Sequence, residues 1–187
     1  MSRVLALLGL VAFVAGAVIA FEARPASSSG LPWPAASAPP NAATNAALRT
    51  LAPIPPGYRI QIPRLGIDLE ILEGDVERDT VALRTPEDYA FHLPGTAIPG
   101  TGANSYLYAH ARMGMFISLW DARVGDVVWI STPDGRALRY VVSEVHPSVP
   151  PDEISWAAAA GPERLTLQTS TGPAPNDPRF IVVALPG

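Results

Sequence analysis

Three side chains in this sequence have the types and the placement for acyl chemistry: Ser170, Arg179 and His110. Ser170 ends a run in which Leu165, Leu167 and Thr169 alternate with Thr166 and Gln168, the pattern of a half-buried strand. Arg179 opens a second strand-like run, Arg179-Phe180-Ile181-Val182-Val183-Ala184. The link between them, Gly172-Pro173-Ala174-Pro175-Asn176-Asp177-Pro178, is too dense in turn residues to continue either one. A third run, Tyr106-Leu107-Tyr108-Ala109-His110, ends on histidine. A hydroxyl, an imidazole and a guanidinium at three strand ends supply a nucleophile, a base and an oxyanion partner. A serine hydroxyl is not ionised at neutral pH, so it needs a neutral histidine within hydrogen-bond reach as it attacks.

The other polar residues compete less well for that role. His92, ahead of the turn at Pro94, and His146, before Pro147, read as surface or structurally satisfied histidines. Arg112 is the spare cation beside His110. No acidic residue stands near His110 in sequence to orient it, and Asp121, Asp126 and Glu144 reach it only through the fold. No second histidine or carboxylate lies at ligand spacing from His110, so neither a metal nor another cofactor is expected. The chain has no cysteine, which excludes disulfides and thiolate metal sites. A net charge of −4 gives no reason to expect nucleic-acid binding. All 13 basic residues are arginine, so no side-chain amine is available as an acyl acceptor on this chain.

The elements that must position these residues are short strands. The patterns predict strands at 59–62, 67–72, 105–110, 127–131, 138–145, 164–169 and 180–185, and a short helix over 113–123 with Phe116, Leu119 and Trp120 on one face. Asp134-Gly135 marks a hairpin turn. With no βαβ rhythm, the expected fold is all-β: a closed, mostly antiparallel barrel of seven or eight strands with one or two short helices.

Ahead of it, residues 4–21 form an uninterrupted apolar run of 18 residues after Arg3. That length predicts a transmembrane signal anchor at 1–21, with the C-terminal domain outside a cell membrane crossed once. A cleaved signal peptide is the competing reading, with Val18 and Ala20 as small residues before Phe21. Residues 22–56, rich in Pro, Ala, Ser and Asn, predict a disordered spacer, and 57–187 the barrel domain.

Thr166-Leu167-Gln168-Thr169, a small nucleophilic residue and then a strand opening on Arg179 resemble the active-site strand pair of sortases. Those are the cysteine transpeptidases that cleave a sorting motif and attach proteins to cell walls or pili. The resemblance runs from about residue 57 to the end, through Pro94-Gly95-Thr96-Ala97-Ile98-Pro99-Gly100, Asn104, His110, Phe116, Leu119 and Val124-Gly125-Asp126. It implies a sortase-like barrel, His110 as acid/base, Arg179 holding a substrate carbonyl or oxyanion, and Thr169 positioning substrate. It implies a peptide or protein substrate with a sorting-type motif, and an amine or water as acceptor. It also places 149–160 at the loop over the substrate groove, where composition alone reads as an Ala-rich surface helix. Leu93-Pro94-Gly95-Thr96-Ala97, which looks like a sorting signal, reads as an internal turn.

The departure is Ser170, which stands where the family has cysteine. A thiolate paired with a protonated histidine does not transfer to a serine. Two functions therefore stay open: acyl transfer or hydrolysis through Ser170, and a catalytically degenerate module that binds peptides or partner proteins at the cell surface.

Overall fold

The computed structural model describes residues 52–81, 84–159 and 161–187. Eight strands are present among them: β1 (Tyr58–Ile62), β2 (Ile67–Glu73), β3 (Tyr89–His92), β4 (Asn104–Tyr108), β5 (Val127–Ser131), β6 (Ala137–Val149), β7 (Arg164–Ser170) and β8 (Arg179–Pro186). They close into a barrel in the order β1-β2-β3-β4-β7-β8-β6-β5. Closure leaves no unpaired sheet edge, so every strand finds two neighbours for its backbone groups.

Period-2 alternation decides which residues fill the barrel. In β1, Tyr58, Ile60 and Ile62 are buried while Arg59 is exposed, and in β5 Val128 and Ile130 are buried between half-buried neighbours. Their inward residues meet Ile71, Leu107, Phe116, Leu119, Leu165, Leu167 and Val182 in one core. β8 departs from alternation and is buried from Phe180 to Ala184. Its outer face carries a second small cluster, in which Ile181 and Val183 pack with Val149 and Trp156.

Two of the eight pairings, β2–β3 and β4–β7, are parallel, and the rest are antiparallel. Parallel neighbours need a crossover rather than a hairpin. Residues 74–88, with a π-helical turn at Glu77–Val81, make the first crossing. The second is long and contains β5 and β6. β3, which carries His92, was not among the expected strands. At four residues between turn-rich segments it is too short to show a period.

The helix expected over 113–123 is a 3-10 turn at Phe116–Asp121. Phe116 and Leu119 are buried in it, but Trp120 is 44% exposed, so the three do not share one buried face. The segment read as an Ala-rich helix holds only a 3-10 turn at Ile154–Ala157. Asn104 fixes this connection: its side-chain amide donates to the carbonyls of Trp156 and Ala158 at 2.8 and 3.0 Å, and its oxygen accepts from Thr166. His92 is fully buried, with Nδ1 on Glu73 and Nε2 on the Ala97 carbonyl. The stretch around Gly95 is a turn, with Gly95 at φ +83°. Among the described residues, no helix is long and apolar enough to cross a membrane. Residues 4–21, where a span is expected, lie outside the described residues.

Ile54, within the stretch read as a spacer, is buried and joins the barrel core. Its backbone N–H donates to Glu73 at 2.8 Å. Ile54→Ala should therefore destabilise the domain by about 2 kcal/mol. Urea unfolding of a 52–187 fragment measures this, and an unchanged midpoint would show that Ile54 adds no packing.

Candidate active site

Parallel pairing of β4 with β7 sets Tyr106 against Thr166 and Tyr108 against Gln168. Antiparallel pairing of β7 with β8 sets Gln168 against Ile181 and Ser170 against Arg179. Residues two apart share a face, so Tyr106, Tyr108, Gln168, Ser170, Arg179 and Ile181 all look the same way. His110, two residues past the end of β4, continues that row. All seven line one groove of about 830 Å³. The three residues predicted from sequence thus come to one end of one sheet face.

Arg179 is anchored at both branches of its fork. Nη2 donates to the Pro175 carbonyl at 3.0 Å, and Nη1 reaches the Ser170 hydroxyl at 3.4 Å. The loop between the strands is shaped for this: Ala174 N–H donates to Asp177 at 2.6 Å, and Thr171 N–H and hydroxyl both donate to the Pro178 carbonyl. A Cβ at Gly172 would meet the Asp177 carboxylate, so a larger residue there requires that carboxylate to move from its place on the Ala174 N–H.

The Ser170 hydroxyl has three partners. It lies 2.6 Å from the Gly172 carbonyl, 3.3 Å from the Gly172 N–H and 3.4 Å from Arg179. The last two can only donate, so the hydroxyl proton goes to the Gly172 carbonyl. No hydrogen bond joins Ser170 to His110. The imidazole Nε2 instead faces the Thr85 carbonyl at 2.9 Å. A carbonyl only accepts, so Nε2 carries a proton and Nδ1 is the basic nitrogen of the neutral ring.

Thr169, read as a substrate-positioning residue, turns inward and is fully buried. Its hydroxyl donates to the Ala109 carbonyl at 2.9 Å, while Ala109 N–H donates to the Gln168 carbonyl at 3.2 Å. It holds the residue before His110 against β7.

Arg112 ion-pairs with Glu87 at the surface. None of the carboxylates weighed as orienters reaches His110. Asp126 takes a two-pronged contact from Arg64 and a 2.7 Å bond from Arg123 N–H, and Glu144 pairs with His146 at 2.8 Å. Burial pushes the Tyr106 phenol up to about 12, partly offset by Arg179, so it faces the groove as a neutral donor to Gln168. Among the described residues, no cluster of three His, Asp or Glu side chains is placed to hold a metal.

Sequence reasoning did not single out Thr85 or Trp120 for the site. The Trp120 indole N–H donates to the Ser170 carbonyl at 3.2 Å and its ring lines the groove. A backbone carbonyl such as that of Thr85 has no residue-type signal. The signal for Trp120 was its exposure, which only the packing of the 3-10 turn reveals.

Thr169→Val keeps the shape but leaves the Ala109 carbonyl against a methyl group. The expected cost is about 1–3 kcal/mol. Chemical denaturation measures it, and a loss below the error of the midpoint would show that this bond carries nothing.

Residues 60–186 match the family model of the sortase domain. No curated protein matches the sequence. Among solved structures, sortase A from Corynebacterium diphtheriae is 29% identical, with a TM-score of 0.58, covering 73% of this chain and 62% of that one. The lid mutant of the same protein is 28% identical, with a TM-score of 0.56, covering 71% and 70%. Sortase C-1 from Actinomyces oris is 28% identical, with a TM-score of 0.57, covering 70% and 73%. With the closed eight-stranded barrel and a family match over more than half its length, this chain belongs to the sortase family.

Proposed function

We propose that this chain is a membrane-anchored, extracytoplasmic acyl transferase of the sortase type that uses Ser170 as its nucleophile on sorting-signal-type peptides. The observation that carries this reading is the contact of the Arg179 guanidinium with the Ser170 hydroxyl, at the groove end where His110 also lies.

The hydroxyl turns from the Gly172 carbonyl toward His110, and Oγ attacks the peptide carbonyl as the proton passes to Nδ1. The oxyanion that forms is held by Arg179, whose fork is fixed and permanently charged. Collapse breaks the C–N bond, and His110 returns the proton to the leaving amine. The resulting ester on Ser170 is attacked by an incoming amine or by water, with His110 taking and returning a proton in the same way. The Thr85 carbonyl does the orienting that a carboxylate does in Ser-His-Asp triads. It stabilises the imidazolium less, because it is a dipole and not a charge.

One observation favours the second reading, a peptide-binding module without turnover. The Ser170 hydroxyl is satisfied within its own turn and must break that bond before His110 can act on it.

Purified 52–187 domain mixed with sorting-motif peptides and an amine, followed by mass spectrometry, separates the two. An active serine enzyme loses turnover in Ser170→Ala and falls about 100- to 1,000-fold in Arg179→Ala. Ser170→Cys supplies a nucleophile that needs no matched base, so it restores turnover where the groove is intact but the serine is idle. Peptide binding that survives all three substitutions, with no turnover in any form, overturns the enzyme reading.

Anchoring is supported by the apolar run at 4–21 behind Arg3. The full chain should remain in the membrane fraction with its C-terminal domain open to external protease. Release of a form lacking the first 20 or so residues would point to a cleaved signal instead.

A further inference from the structure

Asp79 is a buried carboxylate that takes no part in the acyl-transfer steps. Its side chain is 1% exposed, although it stands at the edge of the groove. Burying a carboxylate is costly unless it is paired and hydrogen-bonded, and Asp79 is fully supplied. Arg78 donates to both oxygens, at 2.5 and 2.8 Å, Asp75 N–H donates at 3.1 Å, and the Tyr108 phenol donates to Oδ2. Arg78 is itself held over the Phe91 ring, 5.1 Å from its centroid. Burial pushes the Asp79 carboxyl up, but its hydrogen bonds from Arg78 and Tyr108 outweigh this and leave it below the usual range. Burial, and then Asp79, push the Tyr108 phenol up. At neutral pH a neutral donor and a charged acceptor therefore face each other.

Both ends of this contact lead to His110. Tyr108 is the last residue of β4, two before the histidine. Asp79 lies in the Glu77–Val81 turn, whose backbone is knit to the residues C-terminal to it: Arg84 N–H donates to the Arg78 carbonyl at 2.9 Å. The Thr85 hydroxyl makes a longer contact, 3.5 Å, to the Asp79 carbonyl, and the Thr85 carbonyl accepts the His110 Nε2–H. The circuit runs from Tyr108 through Asp79 and Thr85 to His110, and returns along two residues of chain. Gly74 lets it close, since a Cβ there would strike the Tyr108 hydroxyl and come within 2.8 Å of the His92 carbonyl.

We infer that Asp79 is a positioning residue for His110. By clamping Tyr108 to the Glu77–Val81 turn, it holds the Thr85 carbonyl where that carbonyl selects the imidazole tautomer with a basic Nδ1. A polar clamp suits this task better than apolar packing because its direction is fixed by hydrogen-bond geometry. The inference rests on the reading of His110 as the acid/base for Ser170, but its test does not require turnover.

The test is the imidazole nitrogen chemical shifts of His110, read by NMR in the full chain and in its Asp79→Asn and Tyr108→Phe variants. The parent should show the Nε2–H tautomer, and both variants a mixture of the two. Where turnover is measurable, kcat should fall about 10- to 100-fold with KM nearly unchanged, the pattern of a misplaced catalytic group. Tyr108→Phe leaves the Asp79–Arg78 pair intact, so it carries the test if Asp79→Asn does not fold. Folded variants that lose stability but keep the parent nitrogen shifts overturn the inference and leave Asp79 as a structural ion pair. Shifts that change in a protein without turnover sustain the positioning role and sink only the catalytic reading.

Discussion

The parallel ladder between β4 and β7 is the constraint on which this site depends. Parallel strands run in register and end at the same rim of the barrel, so the residues that continue them emerge side by side. His110 follows β4 and Ser170 ends β7, with Tyr108 already opposite Gln168. The β7–β8 hairpin then folds Arg179 back against Ser170 on the same face. Thr169 secures the arrangement from inside, where its buried hydroxyl takes up the carbonyl of the residue before His110. Slipping either ladder by one residue would turn the serine or the arginine into the core.

The group facing Arg179 is the Ser170 hydroxyl, and a hydroxyl behaves differently from a thiol. A thiolate is held by charge, so its neighbours need only be electropositive. A hydroxyl is held by where its proton points, and here that proton lies on the Gly172 carbonyl. The surrounding donors, Arg179 and the Gly172 N–H, favour negative charge on that oxygen but cannot take its proton. On the proposed mechanism, histidine therefore has to do more than in a thiol enzyme. The Thr85 carbonyl gives it one basic nitrogen without the added driving force of a carboxylate. On the proposed serine mechanism, activation of the nucleophile is the demanding step.

The crossover between β2 and β3 has a role in the site out of proportion to its length. It supplies Thr85 to His110, Glu87 to Arg112 and Asp79 to Tyr108, three contacts along one side of the groove. A connection between parallel strands must cross a face of the sheet, and here the face it crosses is the one that bears the site.

Much of this was determined by the sequence itself. Alternation in β1 and β7 is strong because each sets a row of apolar residues on the core, and turn residues such as those from Gly172 to Pro178 bound the strands sharply. The closed β-barrel, the His110, Ser170 and Arg179 row, and the turn at Pro94-Gly95 were legible on that basis. β3 was not, because four residues cannot display a period, nor was the exposure of Trp120, because a 3-10 turn rotates its third face away from where an α-helix would put it. What only the tertiary structure decided is which groups complete the site. The Thr85 carbonyl carries no side-chain signature, and Asp79 and Tyr108 stand 29 residues apart in the chain. Their meeting depends on the parallel β2–β3 crossover passing over β4, a non-local packing event that no local pattern of residues encodes.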